Sequence, residues 1–92
     1  MAQRVLATQA AEQAANQLVP AIQQLRADIA KIQNLGRTLT NPNEWDGPDA
    51  VKFRTSWDPD VQRLQQTDDQ MAQLEQRAKA QIIAIRQAGG AN

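Results

Sequence analysis

The chain has 92 residues, 41% of them hydrophobic and 3% aromatic, with neither cysteine nor histidine. That length holds one domain at most, with a core too small to be secure alone, and the missing residue types exclude disulfides and the common soft metal sites. Ten Lys+Arg balance ten Asp+Glu, so no basic stripe is present to neutralise phosphates, and neither nucleic acid nor an anionic membrane is an expected partner.

Residues 3–37 read as one long helix. Its apolar positions Leu18, Ile22, Leu25, Ile29 and Ile32 alternate spacings of four and three, the rhythm of a helix packed lengthwise on another. Before Leu18 the stripe is filled by Ala7, Ala11, Ala14 and Ala15, which bury little area, so the first two turns are expected to fray. Pro20 removes one backbone hydrogen bond and predicts a kink. Gly36 is the expected helix stop.

Periodicity fails between Thr38 and Gly47, where Thr, Asn, Pro, Asp and Gly predominate, and a turn is predicted over 38–47. Pro48 suits a first helical position and Asp49 the positive end of the helix dipole. A second helix is expected over about 48–86, with the stripe Phe53, Trp57, Val61, Leu64, Met71, Leu74, Ala78, Ile82 and Ile85. Asp58-Pro59 predicts a local distortion, and Asp58 is a candidate cap for a fresh start. Around Gln65–Gln70 the stripe meets Thr67 or Asp68 instead of an apolar side chain. Residues 87–92, with Gly89-Gly90, are expected to form a disordered tail.

A short connection between two long helices predicts an antiparallel all-α hairpin. Two helices cannot close the seam, so pairing of two hairpins into a four-helix bundle is expected, through Ile22, Leu25, Ile29, Leu64 and Met71. The N-terminal residues show no apolar leader. Ile82-Ile83-Ala84-Ile85 is far too short to span a bilayer.

Asp68, Asp69 and Glu75 are the candidates for paired-carboxylate chemistry. Neighbours on a helix diverge by about 100°, so Asp68 and Asp69 do not converge on one proton. With no histidine, cysteine or glycine-rich phosphate loop, no catalytic, cofactor-binding or metal-binding residue is expected, and the chain does not read as an enzyme. The acidic run reads as a solvated band, or as a polar layer that fixes register in the dimer.

All three aromatics fall within residues 45–57. Trp45 is a large apolar side chain in a polar loop, Gly47 permits a sharp reversal, and Phe53 and Trp57 lie one turn apart on a helix. Two readings follow: the aromatics plug the hairpin end, or an indole left partly exposed there serves in recognition.

Trp45-Asp46-Gly47 followed by Ala50, Phe53 and Trp57 resembles the pattern Trp-x-Gly-x-x-Ala-x-x-Phe-x-x-x-Trp of the WXG family. Its members are about one hundred residues long, and the early secreted antigen proteins of mycobacteria are the best known. The resemblance covers length, mid-chain turn and both flanking helices. It implies a hairpin that dimerises with itself or a related member, and export without a signal peptide by the ATPase-driven type VII secretion system after a cytoplasmic stage. Trp45 and Gly47 would form half of a bipartite recognition feature. The other half in many members is a Tyr-x-x-x-Asp/Glu motif after the second helix, and this sequence contains no tyrosine. A paired protein then has to supply it, or another C-terminal element replaces it. Alternatively the chain stays in the cytoplasm as a helical adaptor or chaperone for a larger effector or toxin; a third reading is a small subunit of a phage-like or filament assembly.

Overall fold

Alanine and glutamine are the commonest residues of both long segments, and both favour helix. A computed structural model of the chain describes residues 6–90 and contains helix α1, Gln9–Leu39, and helix α2, Pro48–Gly90. Among the described residues there is no strand. The fold is an all-α hairpin 66 Å long and 23 by 15 Å across. Its antiparallel sense is written in four cross-helix hydrogen bonds, in which α1 residues ascend as α2 residues descend. They are Asn16 with Arg86, Gln23 with Glu75, Arg26 with Asp68, and Gln33 with Gln65.

Several boundaries differ from those the sequence suggests. Helix α1 starts at Gln9 rather than near residue 3, because the Thr8 hydroxyl accepts from the Ala11 N–H at 3.1 Å and caps the first turn. Residues 3–5 lie outside the described part. Gly36 does not stop α1, which continues to Leu39 and ends where the Thr40 N–H donates to the Gly36 carbonyl at 2.9 Å. Pro48 does open α2, but α2 runs to Gly90 instead of ending near Arg86; the remaining two tail residues, 91 and 92, lie outside the described part.

Both internal prolines are accommodated within helices that continue through them. Pro20 and Pro59 are exposed, as are Asn16 and Thr55 four residues earlier, so the carbonyls left without an N–H partner lie on wet faces. Asp58 therefore caps no new helix.

The seam between the helices is narrow. From α1 it takes the buried row Ala15, Ile22, Ile29 and Gly36 together with half-buried Val19, Arg26 and Gln33. From α2 it takes Ala50, Glu75, Ala78 and Ile82, all buried, and Arg54, Trp57, Val61, Leu64, Asp68, Met71 and Ile85, half-buried. Steps of three and four alternate along both rows, as they do wherever two helices pack lengthwise. The expected α1 stripe is thus split: Ile22 and Ile29 enter the seam, whereas Leu18, Leu25 and Ile32 remain 44% exposed. No helix of the described residues is long and apolar enough to cross a membrane.

Candidate functional site

At the turn end, Pro48 starts α2 and Gly47 supplies the reversal with φ +118°, a conformation side-chain-bearing residues rarely adopt. The loop before it folds on Asn41, whose carbonyl accepts from the Glu44 and Trp45 N–H groups at 3.0 Å. Ala50, in the first turn of α2, is completely buried, so the motif's small residue is enclosed at the turn end of the seam.

The aromatics form a chain. Trp45 and Phe53 rings are 5.6 Å apart, tilted at 52°; Phe53 and Trp57 are again 5.6 Å apart and nearly parallel at 15°. Trp57 is half-buried against Gly36 of α1, whereas Trp45 keeps 37% of its surface exposed. Trp57 therefore closes the seam, and Trp45 rests on the outside of that closure.

Two polar contacts pin the same loop. The Asp46 carboxylate accepts from the Gly47 N–H at 2.8 Å and from Arg54 at 3.1 Å. The Gly47 amide first, then Arg54, hold the Asp46 carboxyl below the usual carboxylate range. Arg54 also donates to the Trp45 carbonyl at 2.8 Å.

Midway along the hairpin the seam is ionic. Arg26 of α1 donates to Asp68 at 3.0 Å and to Glu75 at 3.3 Å. Glu75, one of the most buried side chains, also pairs with Lys79 at 3.1 Å and accepts from Gln23 at 3.5 Å. Lys79 contributes most to holding the Glu75 carboxyl below its ordinary range, aided by Gln23 and Arg26 against the desolvation that pushes it up. Asp68 is therefore not part of a solvated band: it faces α1, while Asp69 points away and is bonded to Gln65 at 3.0 Å. The arrangement is a fully paired charge layer, with no free carboxylate pair set to move a proton.

The two flanks of the hairpin differ in character. Asn16, Gln23 and Gln33 of α1 carry polar bridges to α2 on one flank. On the opposite flank Leu18, Leu25, Ile32 and Leu39 recur every seven residues, and with Leu35 they are 42–55% exposed. By helical position Phe53 and half-buried Leu74 of α2 border this apolar flank, so Trp45, seated on Phe53, lies at its turn end.

The sequence reading locates Trp45, Gly47, Phe53 and Trp57, and the structure brings them together. It does not identify Arg54, Asp46, Arg26 or the seat of Trp57 on Gly36. The opposite charges of Arg54 and Asp46, eight residues apart across a turn, were the available signal for the loop contact. No family model, curated protein or solved structure matches the chain.

Proposed function

We propose that this chain is a WXG-like hairpin that acts by protein–protein contact, pairing through its apolar flank with a second hairpin and presenting Trp45 beside the resulting bundle. The observation that carries this reading is the second apolar stripe of α1. Leu18, Leu25, Ile32, Leu35 and Leu39, with Ala21 and Asp28 between them, repeat the three–four rhythm of a packing seam, yet the hairpin leaves them exposed. With about 100° per residue, this stripe lies roughly 100° around α1 from the row that meets α2. A helix in a four-helix bundle touches two neighbours at about a right angle, and α1 carries one stripe for each. Covering these side chains contributes on the order of 1 kcal/mol apiece, since each is already half covered within its own hairpin.

On this reading the partner is a second copy or a related hairpin. The pair is a substrate, or a co-secreted partner, of a type VII secretion system whose ATPase reads the Trp45-Asp46-Gly47 turn. These 92 residues include no tyrosine, so a related hairpin supplies the tyrosine-containing half of the signal, whereas in a self-pair another C-terminal element replaces it. That same absence favours the second reading, a cytoplasmic adaptor that covers the helical segment of a larger effector with this flank.

Light scattering of the purified chain tests the pairing. Self-pairing gives twice the 10.2 kDa chain mass, and Leu25→Asp returns it to one. A parent chain of single mass excludes a self-pair and leaves a related hairpin. A Leu25→Asp chain that keeps a doubled mass overturns the assignment of this flank.

A further inference from the structure

We infer that Arg54 is a positioning residue for Trp45, a strap that fixes the indole-bearing loop to α2 rather than a stabiliser of the hairpin seam. The inference rests on the reading of Trp45 as the presented residue.

Position 54 belongs to the α2 row that packs on α1, between Ala50 and Trp57. An aliphatic side chain is what packing asks for in such a row. Arginine there is half-buried and its Nε, fully covered, has no hydrogen-bond partner among the described residues, a loss that a hydrocarbon would avoid. Among the described residues, what the guanidinium does gain lies in the loop. One terminal nitrogen donates both to the Trp45 carbonyl at 2.8 Å and to the Asp46 carboxylate at 3.1 Å, and that carboxylate in turn holds the Gly47 N–H.

Each residue of the Trp-x-Gly turn is therefore tied, directly or through one atom, to this arginine. The Trp45 N–H is held within the loop by the Asn41 carbonyl, and the other tie to α2 among the described residues is the tilted contact of the ring with Phe53, which limits where the ring lies but does not fix the loop backbone to α2. Together the two ties to α2 define a backbone point and a ring point, and so an orientation. Without the strap the Gly47 pivot lets Trp45 swing, which lowers the fraction of molecules presenting the indole correctly and weakens recognition by that fraction.

Fluorine NMR of the full chain carrying fluorotryptophan tests this, with one resonance for Trp45 and one for Trp57. In Arg54→Leu the Trp45 resonance is expected to narrow and shift toward the free amino acid, with the Trp57 resonance unmoved and the thermal midpoint unchanged or raised. Arg54→Lys, which keeps one donor, should restore part of the shift. Asp46→Ala, which leaves α2 untouched, should move the Trp45 resonance in the same direction. A Trp45 resonance that stays in place in both Arg54→Leu and Asp46→Ala overturns the strap, as does an Arg54→Leu chain whose thermal midpoint falls with both resonances shifting together. A freed Trp45 with export at the parental level keeps the strap and overturns the recognition reading instead.

Discussion

Trp57 lies on the backbone of Gly36, so close that a β-carbon at residue 36 would overlap the indole ring. The glycine is a socket inside α1, and the indole that fills it locks the turn end of the seam.

Gly36→Ala should therefore destabilise the hairpin. Overpacking costs about 1–3 kcal/mol and outweighs the roughly 1 kcal/mol that alanine gains over glycine within a helix. The double variant Gly36→Ala/Trp57→Leu, with a smaller side chain above the socket, should recover part of the loss. Urea unfolding of the three chains decides it: a neutral single variant would mean that the ring slides aside freely.

Gly89→Ala should do the opposite. The nearest atoms that a β-carbon there would meet belong to the side-chain end of Glu12, a flexible tip that can swing away. The helix-propensity gain of up to about 1 kcal/mol then stands uncancelled. A lowered midpoint in thermal unfolding would show that Glu12 is held more firmly than its position suggests.

How much of this was legible in the sequence follows from what each contact depends on. The hairpin and the Pro48 start show in the loss of periodicity and in turn chemistry, which are local. The pairing row of α1 shows only in part. Ile22 and Ile29 stand in the expected stripe and enter the seam, but beside them α2 settles against Val19, Arg26 and Gln33 rather than Leu18, Leu25 and Ile32, with Arg26 meeting Asp68 and Glu75. That choice depends on charges more than forty residues apart, which hydrophobic spacing does not weigh. Gly36 looks like a stop for the same reason, since only the partner helix reveals that Trp57 needs the space. The Trp45–Phe53–Trp57 cluster was legible because all three aromatics fall within 13 residues.

Stability should fall on acidification through the charge layer. The folded-state pKa of Glu75 is lowered, chiefly by Lys79, with Gln23 and Arg26 also bonded to it and Asp68 facing the same arginine. Its contribution is complete above the unfolded carboxylate value of about 4.3 and is lost as pH drops through the lower folded value. Glu75→Gln should be less stable at neutral pH and should flatten the midpoint's dependence on pH below that point. An unaltered slope in the variant would assign the acid sensitivity to other carboxylates.

Aspartate substitutions on α1 should separate the two stripes. Ile29 is 3% exposed, and Ile29→Asp buries an unpaired charge in the hairpin seam, costing more than about 3 kcal/mol. Leu25→Asp alters a side chain that the single hairpin leaves 44% exposed, so the unpaired hairpin should lose about 1 kcal/mol or less. Circular dichroism during dilute thermal unfolding gives both values. Equal losses would place Leu25 in the hairpin seam.

The central claim is that Trp45 is presented and Trp57 is structural. Thermal unfolding and export, measured side by side for Trp45→Ala and Trp57→Ala, test it most directly. Trp45, 37% exposed outside the seam, should cost only about 1 kcal/mol when truncated, leaving a folded, paired chain that is no longer exported. Trp57→Ala empties the contact with Gly36 and should lower stability by several kcal/mol, on the order of other large-to-small aromatic changes. A Trp45→Ala chain that folds, pairs and is exported at the parental level would contradict the account and leave Trp45 as a cover for the hairpin end.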